Sequence, residues 1–416
     1  MKIVNLSTYD LNGGAARASY RIHKEFQSQG IDSKMLVLHK TIDDNSVISV
    51  ASSKLKNFAS KIDNFPLKFY EKQKITWSTS WFGFDISQSK YVQEADVIIF
   101  YWVAGGFLSS NNIYQLSKLN KKIIWRLSDM LPFTGGCHYS GECDKYKSIC
   151  QECTQINSSK FNDISNRLFN KKINLWKDID INIVCPSNWM ESCVKESRIF
   201  KSKNVSVIPT GVDREVFKKI DKKIARNILN LPADKKILLL GAVNINGEPR
   251  KGGKEAYDAI NYYLKEYEES DIELVVFGSY NNIFQDLNIN ITMMGKVNDE
   301  YTLALLYSSA DVFLAPSKEE NLANTVLESL SCNTPVVAFN IGGMPDVIKH
   351  GENGFLVSPY NIKDFGTCID ESLNFSYENL KLLDNKFSLK EQVKLYLDLI
   401  TVYHPKTSDN FLKFLI

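Results

Sequence analysis

Along most of the chain, short apolar runs alternate with amphipathic stretches, the pattern of β-α-β units around a parallel sheet. In the first half, residues 2–7, 35–38, 96–101, 122–127, 182–185 and 205–208 read as strands. Helices are predicted over 17–29, 162–176 and 189–197, the last capped by Pro186, Ser187 and Asn188. The second half repeats the scheme, with strands over 236–240, 273–277, 292–295, 312–315, 336–339 and 355–357 and helices over 255–267 and 299–310. Near the carboxyl end, Val393, Leu395, Tyr396, Leu399 and Ile400 predict an amphipathic helix over 389–403. The pattern thus predicts an α/β chain built of β-α-β units.

Residues 41–94 fit this scheme least well, being rich in Ser, Lys and aromatics such as Phe65, Phe69, Tyr70, Trp77, Trp81, Phe82 and Phe84. Covering a hydrophobic core is one reading, and part of an acceptor site or a membrane-facing helix is the other. No internal repeat and no low-complexity linker is present.

The richest stretch is APSKEENLANTVLESLSCNTPVVAFNIGGMPDVI, residues 315–348. A strand ends at Pro316 and Ser317, and a polar loop, 318–323, leads into a helix that Asn324 or Thr325 can cap. After the strand 336–339, Gly342 and Gly343 make a turn and Met344, Pro345 and Asp346 open another helix. Such loops lie on the carboxyl side of the strands, where open α/β sheets bind ligands. Glu320 in the loop and Glu328 in the helix could each accept two hydrogen bonds from a diol, while the helix amino terminus takes an anion. On spacing alone, a solvated helix start favoured by the dipole explains the same acids.

Composition adds bounds. A length of 416 residues suggests two or three domains of roughly 100–200 residues each. The longest apolar stretch, 97–107, is broken by Gly105 and Gly106 and is too short to span a bilayer. Residues 1–9 read as a first strand and not a signal peptide, so a cytoplasmic protein with mostly reduced cysteines is expected. The net charge of +2 is uneven: residues 1–205 hold 28 Lys and Arg against 19 Asp and Glu, leaving 22 against 29 for the remainder. The basic half suits an anionic membrane surface or acceptor, or is a solvated lysine-rich face. No zinc-finger spacing or RNP-type aromatic motif points to nucleic acid.

Three further motifs carry chemistry. Gly13 and Gly14 in the loop 10–16 let backbone approach a ligand at a helix start, as Arg250, Lys251, Gly252 and Gly253 do for a diphosphate. Ordinary turns explain both equally. Cys137, Cys143, Cys150 and Cys153, with His138 alongside, sit in a loop too short for a core of its own. A tetrahedral structural zinc, buried unmetallated thiols or disulfides all fit, whereas four Cys leave no open position for a catalytic metal.

The 315–348 segment resembles the donor-binding signature of retaining glycosyltransferases of family 4, and is most like the branch that builds bacterial capsule and exopolysaccharide. The resemblance implies the GT-B architecture, two Rossmann-like domains facing across a cleft with a carboxyl-terminal helix crossing back. It implies an acceptor domain over 1–205 with a Cys-rich insertion at 137–153, a nucleotide-sugar domain over 206–390, and a helix and tail over 391–416. The phrase Pro209-Thr210-Gly211-Val212-Asp213 marks the crossover in that family.

The implied reaction moves a sugar from a nucleoside diphosphate sugar to a saccharide or lipid-linked acceptor, with retention and no catalytic metal. A cytoplasmic place, or a peripheral one on the inner face of a membrane, is expected. Glu320, Lys251, Arg250 and Asp129 are then the catalytic candidates, and Gly13, Gly14, Gly252, Asn324, Thr325 and Glu328 the donor-binding ones. Two departures stand out: Ser128 precedes Asp129 where the branch has His, and Ala242 stands where the family places an Arg. They motivate a non-catalytic accessory subunit as an alternative, beside a nucleotide-sugar 2-epimerase.

Overall fold

The computed structural model describes residues 1–71, 75–244, 248–267, 271–279, 283–375 and 382–402. Contacts divide the chain into two compact units, Val212–Ser388 and Met1–Gly211 together with the segment from Leu389.

The first unit holds seven strands: β1 (Lys2–Tyr9), β2 (Asp32–His39), β3 (Val47–Ser49), β4 (Val97–Phe100), β5 (Lys122–Arg126), β6 (Asn182–Cys185) and β7 (Asn204–Val207). They form one sheet in the order β3-β2-β1-β4-β5-β6-β7, with every pairing parallel. The second holds β8 (Lys236–Asn244), β9 (Ile272–Ser279), β10 (Asn290–Gly295), β11 (Val312–Ala315), β12 (Val336–Phe339) and β13 (Gly354–Val357). Their order is β10-β9-β8-β11-β12-β13, again all parallel. Both are Rossmann-like α/β sheets of the kind the apolar runs predict.

The runs are nearly continuous because each sheet is covered on both faces. In β4, Ile98 and Phe100 pack into one core while Val97 and Ile99 pack into another across the sheet. In the second unit, Leu239 and Phe313 lie on one side and Leu238, Leu240 and Leu314 on the other. The helix Leu389–Val402 buries Val393, Tyr396 and Ile400 against the first unit, where Tyr396 meets Phe26 edge-on at 6.2 Å. Lys122 donates to the carbonyls of Leu399 and Ile400, at 2.6 and 3.1 Å, which satisfies acceptors at that helix end.

Several boundaries differ from the sequence reading. The first helix runs Gly14–Ser28, so it begins at the glycine pair and not at residue 17. The helix of the 315–348 segment has Ala323 as its cap, which makes no side-chain cap hydrogen bond. Asn324 and Thr325 are therefore its first two residues, not its cap. In 41–94 the aromatics divide: Trp77 is buried and Phe82 and Phe84 pack on the core, but Phe65, Phe69 and Trp81 are exposed. Among the described residues no helix is long and apolar enough to cross a membrane.

Candidate functional site

Strand order alone picks out where each unit should bind. In both sheets it reverses beside the first strand, between β1 and β4 and between β8 and β11, and the crevice at the carboxyl ends of such strands takes ligands.

In the second unit, the segment after β8 forms a short turn, Pro249–Lys251, which meets the loop after β11. The Lys318 amide donates to the Arg250 carbonyl at 2.7 Å, and Gly252 closes the approach. With φ at +73°, Gly252 occupies the left-handed region, and a Cβ there would run into the Pro316 carbonyl. This turn delivers two cations to Glu320: Lys251 Nζ lies 2.5 Å from Oε2 and Arg250 Nη1 3.5 Å from it. Burial pushes the Glu320 carboxyl up, but the Lys251 and Arg250 charges outweigh burial and hold it down at about 2. Arg250 also pairs with Glu248 at 2.8 Å.

Glu328 stands one helical turn beyond the start of the helix Asn324–Ser331, buried, and accepts a hydrogen bond from the Tyr307 hydroxyl at 3.0 Å. The arrangement joins a helix amino terminus without a side-chain cap, a pair of cations and two carboxylates, Glu320 on the loop and Glu328 on the helix that follows it. It brings Glu320, Lys251, Arg250, Gly252, Asn324, Thr325 and Glu328 to one end of one sheet. Ala242 lies on β8 opposite Gly278.

The sequence reading missed two supports. Tyr307, on the helix Glu300–Ser309, is the hydroxyl that orients Glu328. Gly342, read only as a turn, sits at φ +50° with its α-carbon against the Glu320 carbonyl, and Gly343 donates to that carbonyl at 3.4 Å. The Gly-Gly pair was the available signal, since a turn beside an acidic loop can serve close backbone approach as well as chain reversal.

In the first unit, Gly13 caps the helix Gly14–Ser28 without a side-chain bond, next to Asp10, whose carboxylate gathers the backbone of Leu11, Thr41 and Ile42. Asp129 follows β5 and is fully engaged: Trp102 Nε1 donates to Oδ2 at 2.9 Å, His138 Nδ1 pairs with the same oxygen at 2.6 Å, and the Leu131 amide donates to Oδ1 at 3.0 Å. His138, which the sequence sets beside the cysteines, belongs to Asp129, and its Nε2 reaches Ser78 Oγ at 2.9 Å.

Cys137, Cys143, Cys150 and Cys153 are free thiols. Burial pushes Cys137 up and Cys150 up to about 12, and the charges of the neighbouring thiols add to both shifts. Contrary to expectation, this loop does have a core, in which Trp77, Leu67, Ile156 and Leu168 pack together with Cys137 and Cys153 beside them. Buried Lys172 ties it down, donating to the Leu131 and Thr134 carbonyls at 2.6 and 2.9 Å. Among the described residues no group of three or more His, Cys, Asp or Glu is placed to hold a metal ion.

Comparison with known proteins follows the same division. Over 185 residues, 41% of this chain and 42% of the relative, it is 29% identical to D-inositol 3-phosphate glycosyltransferase of Thermobispora bispora. It is 34% identical over 137 residues to sulfoquinovosyl transferase SQD2 of Arabidopsis thaliana, 29% of this chain and 26% of that one. The chain spans about two-fifths of the length of the first of these curated relatives. Among solved structures, sucrose-phosphate synthase from Thermosynechococcus elongatus superposes with a TM-score of 0.67 at 18% identity, covering 99% of this chain and 100% of that one. The Anabaena protein HepE in complex with UDP and glucose gives 0.63 at 15%, covering 97% and 100%, and such likeness speaks for the GT-B fold alone. Residues 234–374, which lie within the second unit, match the family described as Glycosyl transferases group 1.

Proposed function

We propose that the chain is a retaining glycosyltransferase that moves a hexose from a nucleoside diphosphate sugar to a saccharide acceptor in the building of a surface polysaccharide. The observation that carries the reading is the Lys251–Glu320–Arg250 cluster at the loop that leads into the helix Asn324–Ser331. A departing diphosphate gathers negative charge, and preorganised cations and helix amides stabilise it more than they stabilise the intact donor. Glu320 keeps Lys251 in place before the donor arrives and orients the sugar hydroxyls. Glu328, steadied by Tyr307, accepts from the ribose. Within the first unit, Gly13 and Gly14 open the helix Gly14–Ser28 with backbone amides suited to a phosphate, and Asp129, fixed by Trp102 and His138, would serve the acceptor. Uridine diphosphate sugars are the first donors to test, because the similar HepE structures hold UDP or UDP-glucose.

A thermal-shift panel of UDP, GDP, ADP and TDP with their sugars tests this directly. One nucleotide at about 100 times its dissociation constant should add about 2.7 kcal/mol of stability. Glu328→Gln, which keeps the acceptor for Tyr307, should weaken that nucleotide about tenfold. No response from any nucleotide overturns the transferase reading in favour of a non-catalytic accessory subunit, and turnover without acceptor would favour an epimerase.

The four thiols form the remaining part of the proposal, as a structural zinc site. Four thiolates are a donor set for zinc, and binding would have to draw them together from where they stand and release the protons that burial now holds on Cys137 and Cys150. Elemental analysis of protein purified without chelator should find about one zinc per chain, lost in Cys150→Ser. Absence of zinc leaves the loop to its own apolar core.

A further inference from the structure

The helix Ser53–Asp63 and the turn Phe65–Phe69 show two apolar stripes. One faces inward, where Ala59, Asp63 and Leu67 are buried at four-residue spacing. Ala59 packs so closely on Gly106 that a Cβ there would collide with it, and Asp63 accepts from the Thr79 hydroxyl at 2.9 Å and the Trp81 amide at 3.0 Å. The other stripe has no such neighbours. Leu55 is 59% exposed, Phe58 57%, Phe65 50% and Phe69 76%, and Ile62 and Trp81 lie open beside them. Among the described residues of the first unit, five of the eight exposed large apolar side chains fall in this one segment, and a sixth, Trp81, bonds to its Ile62 carbonyl.

Scattered exposed apolar residues need no explanation, but a contiguous stripe does. Charge separates the candidate occupants. Residues 53–69 contain four lysines, Lys54, Lys56, Lys61 and Lys68, and one acid, Asp63, which is buried. Lys61 and Lys68 stand over the Phe58 and Phe65 rings at 5.8 and 5.5 Å, so cation and ring share the same outer face. Trp81 anchors its indole to the Ile62 carbonyl at 3.1 Å, keeping the rest of the ring outward. An apolar ridge flanked by lysines, with a Trp at its edge, is the chemistry of a helix lying in the interface of a bilayer. A second copy of this chain would bring its own lysines against these and be repelled.

We infer that residues 53–69, with Trp81, form a docking surface for an anionic lipid bilayer, the aromatic ridge entering the headgroup region and the lysines meeting lipid phosphates. The inference is independent of the transferase reading, because it uses none of the residues placed at the nucleotide site.

Flotation of the full chain with vesicles of phosphatidylglycerol and phosphatidylcholine in equal parts tests it. Binding to the mixed vesicles should exceed binding to phosphatidylcholine alone by on the order of tenfold or more, and should fall as salt is raised. Phe58→Ser with Phe69→Ser should abolish flotation, and Lys54→Glu with Lys61→Glu and Lys68→Glu should lower it on the order of a hundredfold. The variants' melting temperature and response to nucleotide serve as the folding check and should stay as in the parent chain. Equal binding to both vesicles, flotation unaffected by either set of changes, or a dimer that these changes dissociate would overturn the inference.

Discussion

Lys251→Ala is expected to lower turnover of the nucleotide sugar by about 10²–10³-fold, with most of the loss in kcat. Its Nζ lies 2.5 Å from a Glu320 carboxylate, at the carboxyl end of strands β8 and β11, where a diphosphate would leave. A cation matters most to the state in which charge has developed, so uniform weakening of donor binding, seen in KM alone, would contradict the role. The substitution also touches stability. Glu320 is held at about 2, well below its ordinary value of 4.5, so its pairing contributes about 3 kcal/mol that is fully present above pH 4.5 and lost as pH falls towards 2. Arg250, at 3.5 Å, retains part of that once Lys251 is gone. Lys251→Ala combined with Glu320→Gln separates the two roles. If Lys251 only neutralised Glu320, the pair of changes would recover activity; if it serves the diphosphate, the double variant stays slow.

How far the sequence could be read follows from which interactions are local. Strands buried on both faces leave continuous apolar runs, so β6, β11 and β12 were placed to the residue. Ser187 was found because a cap is a contact three residues away, here with the Met190 amide. The start of the helix after β11 misled for the same reason: Asn324 and Thr325 have capping side chains, but the helix begins at Ala323 with no side-chain bond. Pairings between distant segments leave no pattern in the chain. Nothing in the order of residues says that Tyr307 serves Glu328, that His138 serves Asp129 and not the cysteines, or that Trp77 gives the Cys-rich loop its core. Net charge did carry one such message, since the basic first half includes the lysines that flank the exposed ridge at 53–69.

Gly342→Ala should be among the most damaging small changes in the second unit. The residue is at φ +50°, where an L side chain costs about 1–2 kcal/mol, but strain is the lesser effect. A Cβ at this position would occupy the space of the Glu320 carbonyl, so the loop that carries Glu320 must move away from the Pro249–Lys251 turn. It would also lose the hydrogen bond from the Gly343 amide. Displacement of a positioning group by on the order of 1 Å costs about 10²-fold in rate. Gly351 supplies the control: at φ +75° it shares the left-handed backbone, yet a Cβ there meets nothing within 4 Å. Gly351→Ala should therefore lower the melting temperature about as much as strain alone requires and leave kcat unchanged. If both alanines reduced kcat alike, backbone strain would explain the loss and Gly342 would have no particular part in placing Glu320. If only Gly342→Ala does, the contact between this turn and the acidic loop sets the distance between carboxylate and cations on which the proposed chemistry depends.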